Sequence, residues 1–484
     1  MITFNIDCKS RLPMYEQIYN YIRNEIKNGH LPYKTKLPSA RNLAINLQVS
    51  RNTVDMAYSQ LVSEGYIEAV PKSGYYVGQI SDFTPLGINP VPSSVPNVRN
   101  KVHSRYNFSP FAIDINSFPY NIWRKLSREC MNDNNNELFL LGNNQGDENL
   151  RIAIERYLHE SRGVNCTTDQ IIIGAGADYL LQLLSQILQF TGRDGNPSIA
   201  MENPAYKQVY KIFSGMHYRV APIDLDINGI RIKELSECGS DIVYVTPSHQ
   251  YPLGIVMPIT RRLELLQWAN TAPDRFIIED DHDSEFRYKG KPIPALQGID
   301  TSDRVIYIGT FSRAIAPAIR IGYMVLPKVL LDIYRKNFYY YSSTVSRVDQ
   351  CIMTNFINGG YFERHLNKMR KIYKGKHDLM IQGLKIFEDK IRIEGENAGL
   401  HLVIRFLCGA SEKELIEAAA KKGIRIYGLS EHYIHMANAH TASRKAPVSP
   451  AVPTILLGYA NVPEEDITAG IPALHEALKI PVQR

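Results

Sequence analysis

A polar cluster at residues 50–53, Ser-Arg-Asn-Thr, contains side-chain types that proteins use to contact double-stranded DNA. Arg51 carries a guanidinium that can bind guanine bidentately, and Asn52 carries an amide that can bind adenine. Ser50 and Thr53 add hydroxyls for phosphates. Taken alone, the cluster is better interpreted as a polar cap on a surface helix. DNA contact therefore depends on the elements that surround it.

A second group of residues has the types that hold a phosphate. Gly176, Ala177 and Asp178 lie where a predicted strand meets a predicted helix, and free backbone N–H groups there can bind an anion. Arg320 can bind a phosphate bidentately. The plainer alternative for Arg320 is a surface ion pair. These residues make a small anionic ligand the second candidate chemistry.

The elements around the first cluster are three short helices and a hairpin. Pro13 opens the first helix, and Ser39 and Ser50 are good N-caps for the second and third. Strand-like residues 66–70 and 75–77 flank Pro-Lys-Ser-Gly, a basic turn that contains glycine. This order is the layout of a winged helix-turn-helix, whose third helix enters the major groove.

In this layout the third helix would meet base edges, the start of the second would meet phosphates, and the hairpin turn would form the wing tip. The predicted DNA contacts are Ser39, Arg41, Ser50, Arg51, Asn52, Thr53, Lys72, Ser73 and Gly74. Residues 1–78 contain nine Lys and Arg against six Asp and Glu, an excess of three. Because this excess is small, binding would depend on dimerisation to double the contacts.

The bulk composition is that of a folded protein with more than one domain. The chain has 484 residues, of which 44% are hydrophobic and 21% charged, and a length of this kind favours two to four domains. The net charge of +6 permits nucleic-acid binding but does not argue for it, since a solvated basic surface is commoner.

The six cysteines lie too far apart in sequence for a CxxC zinc or redox motif, so no metal site is predicted and a reducing compartment fits best. The N-terminal residues lack the apolar core of a signal peptide, and no run of about 18 apolar residues occurs. We therefore expect a cytoplasmic protein that does not enter the membrane.

The sequence divides into three zones: residues 1–78, a proline-containing linker at 79–106, and 107–484. In the third zone apolar strand-like runs alternate with helical segments, which predicts a three-layer α/β fold with a mostly parallel sheet. The predicted strands are Gln170–Ile173, Ser198–Met201, Asp241–Val245, Arg275–Ile278 and Arg304–Ile308.

Residues 37–77, LPSARNLAINLQVSRNTVDMAYSQLVSEGYIEAVPKSGYYV, closely resemble the GntR family of DNA-binding domains. Several later segments resemble the fold-type I, pyridoxal-phosphate-dependent aminotransferases. They are QGDENLRIAI, IIIGAGADYLLQLL, ENPAYKQV, VTPSHQYPLG, IIEDDHDSEFRY, YIGTFSRAIAPAIRIGYMVLP and AGLHLVI. Their order is similar to the MocR branch of the GntR regulators. The resemblance implies an α+β winged helix-turn-helix, then an aminotransferase-like domain with its large part at about 140–365 and its small part from the flanking segments.

The resemblance also implies a pyridoxal 5'-phosphate pocket. Tyr206 matches the tyrosine whose ring stacks on the pyridine, and the plainer alternative for it is core packing. Asp280 matches the carboxylate that pairs with the protonated pyridine nitrogen. Thr310, Ser312 and Arg320 match the phosphate anchors, beside residues 176–178.

Four departures from the family pattern surround this pocket. Arg313 stands where the family has the lysine that forms a Schiff base, and a guanidinium stays protonated and is a poor nucleophile. The nearest following lysine is Lys328. His282 and Leu141 replace two tyrosines, and residues 454–459 lack the arginine that usually holds a substrate carboxylate.

These features predict a sequence-specific transcription regulator that binds operator DNA as a head-to-tail homodimer. Its aminotransferase-like domain would have no catalytic residue, would dimerise and would bind a small effector. Covalent pyridoxal phosphate is disfavoured by Arg313, while non-covalent pyridoxal or pyridoxamine phosphate, another small anion, or no ligand stay open. The alternatives are an active aminotransferase with a DNA-binding appendage, and a C-terminal domain that only dimerises.

Overall fold

The computed structural model describes residues 4, 6–7, 10, 12–79, 104–133, 135–191, 197–288, 290, 293–407, 409–434 and 452–478. The chain divides into two units, Met1–Lys101 and Val102–Arg484. Most of the predicted linker lies outside the described residues.

The first unit has the predicted order of helices and hairpin: α1 (Met14–Lys27), α2 (Ala40–Leu47), α3 (Arg51–Ser63), β1 (Ile67–Val70) and β2 (Gly74–Val77). β1 and β2 pair antiparallel, with Ile67 opposite Val77.

Apolar residues at helical spacing build the core of this unit. Ile18 and Ile22 of α1 pack with Leu43 of α2 and with Val54 and Leu61 of α3, and all five are fully buried. Leu47, which the pattern placed inward, is only partly buried and packs at the edge of the cluster. The amphipathic pattern therefore predicted this core closely.

The second unit begins with a short strand and alternates helices with strands. Its elements are β3 (Tyr106–Asn107), α4 (Tyr120–Cys130), α5 (Glu148–Arg162), β4 (Ile171–Gly174), α6 (Ala177–Leu188), β5 (Ser198–Asn203), α7 (Lys207–Gly215), β6 (Arg219–Asp226), β7 (Gly229–Ile230), α8 (Ile232–Glu237), β8 (Ile242–Val245), α9 (Ile259–Asn270), β9 (Phe276–Asp280), β10 (Val305–Thr310), β11 (Gly322–Val325), α10 (Lys328–Asn337), α11 (Arg347–Asn358), α12 (Tyr361–Leu384), β12 (Ile391–Glu394), β13 (His401–Phe406), α13 (Glu412–Lys421), β14 (Ile424–Arg425), β15 (Tyr427–Gly428), β16 (Thr454–Gly458) and α14 (Glu464–Leu478).

A sheet of eight described strands forms the middle of this unit, in the order β4-β11-β10-β9-β8-β5-β6-β7. The five predicted strands are β4, β5, β8, β9 and β10. Strands β10, β9, β8, β5 and β6 run parallel, whereas β11 is antiparallel to both β10 and β4. The parallel strands end at one edge, where open α/β sheets bind their ligands.

Helices cover both faces of this sheet, which gives the predicted three layers. Alternate residues of β4 enter different clusters: Ile171 and Ile173 join one, and Ile172 joins the other. Strands β8 to β11 are buried almost throughout, as expected for strands covered on both faces.

A second, antiparallel sheet has the order β12-β13-β16-β15, and β14 pairs with β3. Cys130 at the end of α4 and Cys351 in α11 form a disulfide, with their Cα atoms 6.2 Å apart. They lie 221 positions apart in sequence, so motif spacing could not reveal the pairing, and a disulfide was not expected from the reducing compartment that the cysteine spacing favoured. Within the described residues, no helix is both long and apolar enough to cross a bilayer.

Candidate DNA interface and ligand pocket

The two serines of the predicted DNA surface cap their helices. The Oγ atoms of Ser39 and Ser50 accept hydrogen bonds from the backbone N–H groups of Asn42 and Thr53, each at 3.2 Å. Ser50 Oγ also lies 2.8 Å from Thr53 Oγ1 in a hydroxyl–hydroxyl hydrogen bond. The capping role is thus what the serines perform here, and it orients both helix starts.

Arg51 projects from the first turn of α3 into solvent. Its side chain is 70% exposed, and its Nε lies 3.3 Å from Asp55 Oδ2. An exposed pair one helical turn apart contributes only about 0.3–0.5 kcal/mol. Arg51 can therefore leave Asp55 for a base at little cost, and Asn52 and Arg41 are exposed as well.

The wing turn contains Lys72, Ser73 and Gly74 in the predicted place. Ser73 Oγ shares a hydrogen bond with the hydroxyl of Tyr76 at 2.7 Å. Lys36, which forms a β-bridge with Tyr76, holds its ammonium 5.7 Å from the centre of that ring. The sequence reasoning missed Lys36 and Tyr76, because the bridge brings the loop before α2 to the hairpin.

Tyr58 fixes the three parts of this surface relative to one another. It is fully buried in α3, and its hydroxyl donates a hydrogen bond to the Pro38 carbonyl, 2.9 Å away, beside the start of α2. Its ring packs edge-on against Tyr75 of β2, with centroids 4.7 Å apart. Burial raises the pKa of Tyr58, so the hydroxyl keeps its proton.

In the second unit, Gly176 and Arg320, for which the sequence predicts a phosphate-binding role, lie against each other. Gly176 has φ +84° and precedes α6, and a Cβ there would lie 2.7 Å from the Arg320 Cζ. Arg320 Nη2 donates to the Ala175 carbonyl at 2.9 Å and pairs with Asp178 at 3.1 Å. Its side chain is 48% exposed, which leaves the guanidinium accessible. The ion pair with Asp178 was the plainer alternative for Arg320, and it does form.

Asp280 lies at the carboxyl end of β9 and is buried. The hydroxyl of Tyr244, on neighbouring β8, donates to its Oδ2. Burial raises the pKa of Asp280 to about 6, and the bond from Tyr244 opposes that shift. A buried carboxyl of this kind can receive a proton or pair with a protonated ring nitrogen.

Arg313 follows β10 and is half-buried. Its Nη1 donates to the Pro110 carbonyl at 3.1 Å. Among the described residues, no carboxylate oxygen lies within 4.0 Å of this guanidinium, which is the limit for an ion pair. Burial raises the pKa of Tyr206, and the charge of Arg313 is the first effect that opposes this shift. Arg313 therefore lies near the predicted stacking tyrosine.

Aromatic rings form a wall around Tyr251, which is 2% exposed. The ring centroid of Tyr251 lies 4.9 Å from that of His282, 5.7 Å from Tyr206 and 5.3 Å from His432. Phe111 packs against both Tyr251 and His432 at about 6 Å. Tyr206 and His282 are thus brought together as predicted, in a wall whose other members the sequence reasoning missed.

The histidines of this wall are neutral at physiological pH. Burial lowers the pKa of His282 to about 3, with Asp283 opposing the shift and Arg313 adding to it. His401 also belongs to the wall, since its ring centroid lies 5.5 Å from that of Tyr251. Burial lowers the pKa of His401 and of His432 to about 4. His282 Nε2 is buried without a hydrogen-bond partner among the described residues.

Asp283 pairs with a different histidine, His249. Its Oδ1 lies 2.8 Å from Nδ1 of His249, and both side chains are almost fully buried. Burial opposes ionisation of Asp283, but the surrounding groups, including the hydrogen bond from His249 and the charge of Arg313, outweigh burial and lower its pKa. The ring centroid of His249 lies 6.1 Å from that of His401.

The remaining predicted residues differ in how closely they approach this site. Thr310 ends β10 opposite Gly322 of β11, and Ser312 follows it, half-buried. Leu141, at a family tyrosine position, is 89% exposed.

The strand β16 is wholly buried and contains no arginine. Within the described part of the chain, no group of three or more metal-ligating side chains is arranged to hold an ion.

Two family profiles together match most of this sequence. The profile described as "Bacterial regulatory proteins, gntR family" matches residues 14–77. The profile described as "Aminotransferase class I and II" matches residues 113–441, more than half of the chain.

Curated relatives combine the same two parts over nearly their full length. The chain is 31% identical to the "Probable rhizopine catabolism regulatory protein MocR" of Rhizobium meliloti, over 98% of this chain and 95% of the relative. The chain belongs to the MocR branch of the GntR family of transcription regulators. It is also 39% identical to the "Uncharacterized HTH-type transcriptional regulator YdeL" of Bacillus subtilis, over 97% of each.

Another MocR-type relative is the "HTH-type pyridoxine biosynthesis transcriptional regulator PdxR" of Corynebacterium glutamicum, 30% identical over 86% of this chain and 88% of the relative. Among solved structures, the second unit of this MocR-type chain is similar to a kynurenine aminotransferase of Pyrococcus horikoshii, solved in complex with PMP. The TM-score is 0.64 and the identity 26%, over 77% of this chain and 90% of the enzyme. The regulator thus has an aminotransferase fold.

The sequence reasoning missed Tyr244, His249 and Tyr251, although the last two lie in the quoted segment VTPSHQYPLG. Their neighbours in the fold were the missing information, since Tyr244 meets Asp280 only through strand pairing. Phe111 and His432 carried no local signal. They lie 140 and 181 positions from Tyr251 in the sequence.

Proposed function

We propose that this MocR-type regulator acts in the cytoplasm as a homodimer, and that its pocket binds a vitamin B6 phosphate or a related anion as effector without covalent attachment. The observation that carries the proposal is Arg313, which lies near Tyr206 in the pocket and donates to Pro110. A guanidinium cannot perform the lysine's nucleophilic chemistry at physiological pH. On this proposal the pocket binds its ligand but does not transaminate.

The pocket residues fit the phosphate and the ring of such a ligand. The lack of a Cβ at Gly176 leaves room for the Arg320 guanidinium to lie against the backbone there, and the start of α6 adds free N–H groups. Thr310 and Ser312 follow at the end of β10. These groups would hold the phosphate, with Arg320 as the charged anchor.

Asp280 and Tyr206 would hold the ring. When bound, pyridoxal phosphate supplies an electron-withdrawing ring and an aldehyde. Asp280, with Tyr244 at its other oxygen, would pair with the protonated ring nitrogen. Tyr206 would lie along the ring. His282 would contribute a neutral imidazole where the family has a phenol, so it adds no charge to the wall.

The relative PdxR supports a vitamin B6 compound as the class of effector. PdxR is named as a regulator of pyridoxine biosynthesis, and it is 30% identical over 86% of this chain. The enzyme from Pyrococcus horikoshii supports the same class, since it was solved with PMP.

An exposed apolar patch supports dimerisation through the second unit. Phe139, Leu140 and Leu141 are between 66% and 89% exposed, and Tyr339 and Tyr340 are between 63% and 69% exposed. The side chain of Asn144 donates to the Tyr339 carbonyl at 3.2 Å, which holds the two segments together. Apolar residues grouped in this way mark protein interfaces. We propose that a second copy, placed head-to-tail, covers them.

We propose that the dimer reads operator DNA through the predicted residues at the starts of α2 and α3 and in the wing. The effector would regulate binding only if it favours one arrangement of the two winged units over another. The residues so proposed are Ser39, Arg41, Ser50, Arg51, Asn52, Thr53, Lys72, Ser73 and Gly74.

Borohydride treatment of the full-length protein with added pyridoxal phosphate tests non-covalent binding. Reduction should leave the protein mass unchanged, while dialysis should remove the bound compound. A mass increase that maps to the pocket would favour the rival proposal, an active aminotransferase with a DNA-binding appendage. Calorimetry with pyridoxal phosphate, pyridoxamine phosphate and amino acids completes the test, because no heat from any of them would favour a purely structural second unit.

A further inference from the structure

We infer that the pocket selects a ligand with two acidic groups, a phosphate held at Arg320 and a carboxylate held at Arg313. The inference deepens the proposed effector function and depends on it. It names the substituent that distinguishes the true ligand from other phosphates with the same ring.

The state of Arg313 is the first observation. Its guanidinium is half-buried, its hydrogen bond to Pro110 uses one nitrogen, and the acceptor is a neutral carbonyl. Arg320, by comparison, already has a carboxylate partner in Asp178. Within the described residues, Arg313 has no such partner at ion-pair distance. A half-buried cation without a counter-ion favours an anion, and a planar guanidinium fits a carboxylate bidentately.

The groups that face Arg313 leave this charge without a free counter-ion. Tyr206, Tyr251 and Tyr373 keep their protons, because burial raises the pKa of each phenol. His282 and His401, which also feel its charge, are neutral. The acidic group among these neighbours is Asp283, whose pKa the charge of Arg313 helps to lower, but its carboxylate pairs with His249 at 2.8 Å rather than with Arg313.

The position of Tyr206 is the second observation. The charges of Arg313 and of Arg320 both act to lower its pKa, against the larger effect of burial. A flat ligand stacked on Tyr206 would therefore have both guanidinia within electrostatic reach. Because Arg320 lies against Gly176, where we place the phosphate, Arg313 is left for a second substituent of the ring, next to the one that carries the phosphate.

Arg313 occupies the position at which the family's lysine meets the cofactor aldehyde. It would therefore face the 4-substituent of a vitamin B6 phosphate. An ammonium there would be repelled, an alcohol or aldehyde would accept one hydrogen bond, and a carboxylate would accept two charge-assisted ones. Among ring phosphates of this shape, the 4-carboxylate should bind best.

Calorimetry of the full-length protein with four phosphates tests this preference. The compounds are 4-pyridoxate 5'-phosphate, pyridoxine 5'-phosphate, pyridoxal 5'-phosphate and pyridoxamine 5'-phosphate. The 4-carboxylate should bind about tenfold or more tighter than the alcohol, as expected for a hydrogen-bonded charge pair, and the amine should bind most weakly.

Two variants test whether Arg313 causes the preference for the carboxylate. Arg313→Gln should bring the four affinities within about threefold of one another. Arg320→Gln should weaken all four by a similar factor, because it acts on the shared phosphate. Circular dichroism of both variants checks that they fold.

Equal affinities in the unchanged protein, or a carboxylate preference that survives Arg313→Gln, would overturn this inference and leave non-covalent binding standing. If none of the four compounds binds, the proposed vitamin B6 function fails, and this inference fails with it.

Discussion

Arg313 donates a hydrogen bond to the carbonyl oxygen of Pro110, which lies 203 positions earlier in the chain and 3.1 Å away in the fold. The bond connects the end of β10 to the segment that carries Phe111, and Phe111 packs on the wall of the pocket. Arg313, which we propose stands in place of the family's lysine, is thus bonded to the segment that packs on this aromatic wall.

Arg313→Lys should restore covalent attachment of pyridoxal phosphate. A lysine amine at this position is nucleophilic when deprotonated, and the other groups that would hold the cofactor are unchanged. The measurement is the protein mass after borohydride reduction, together with the visible absorbance of the imine. The absence of both would contradict the proposed geometry of the pocket.

Lys207 provides the control for that experiment. Burial lowers the pKa of His432 to about 4, and the charge of Lys207 adds to the shift, so this lysine lies near the pocket wall. The mass increase of Arg313→Lys should persist when Lys207→Arg is added. Loss of the increase in the double variant would assign the attachment to Lys207 instead.

Gly176→Ala should weaken binding of every phosphate ligand by about tenfold or more. The added Cβ would meet the Arg320 guanidinium at 2.7 Å, and φ +84° strains any residue with a side chain, at a cost of about 1–3 kcal/mol in stability. Gly215→Ala is the matched control, because a Cβ there meets nothing within 4 Å. Equal affinities for the two variants, measured by calorimetry, would rule out Gly176 as part of a phosphate cradle.

Arg51→Ala should abolish operator binding and leave the dimer intact. The side chain is 70% exposed and its ion pair with Asp55 is weak, so its removal should change the free energy of unfolding by less than about 0.5 kcal/mol. Footprinting and sedimentation measure the two effects. Arg392→Ala, at a side chain 74% exposed in the second unit, is the control. An unchanged footprint for Arg51→Ala would refute the assignment of the recognition helix.

Tyr58→Phe should lower the free energy of unfolding of the first unit by about 1 kcal/mol, because the Pro38 carbonyl loses its donor while the packing against Tyr75 is kept. It should also weaken operator binding, since the bond orients the start of α2 relative to α3. Denaturant unfolding and binding isotherms measure both. Unchanged affinity with reduced stability would show that the bond stabilises the unit without orienting its DNA surface.

The buried His282 should make stability depend on pH. Its folded pKa of about 3 lies below the unfolded value of about 6.5, so only the unfolded chain takes up this proton between those values. Its contribution is complete above pH 6.5 and is lost as pH falls toward 3. Between pH 6.5 and 5.5 the unchanged protein should lose about 1 kcal/mol more than His282→Gln. Parallel pH profiles in denaturant unfolding would contradict a buried, neutral imidazole.

The sequence predicted most of the architecture because local signals agreed with the fold. Ser39 and Ser50 are N-caps in the sequence and in the structure, and unbroken apolar runs became β4, β8 and β9 in the covered sheet. Helix caps and hydrophobic periodicity each involve only a few neighbouring residues, so they can be recognised in the sequence itself.

Contacts between residues far apart in the sequence could not be predicted from such local signals. Tyr244 reaches Asp280 across paired strands, Phe111 reaches Tyr251 across 140 positions, and Cys130 joins Cys351. No local pattern predicts these pairings, because they depend on how distant segments of the chain come together in the fold. The resemblance placed Asp178, Asp280 and Arg320 in a common pocket, but not Tyr244, whose hydroxyl binds Asp280.

The most direct test of the central claim measures the affinity of the full-length protein for a DNA site selected by that same protein, with and without saturating vitamin B6 phosphate. A regulator that senses through this pocket should change its operator affinity by about fivefold or more, and Arg320→Gln should remove the change. An operator affinity that is identical with and without ligand, at concentrations where calorimetry shows the pocket to be filled, would contradict the account.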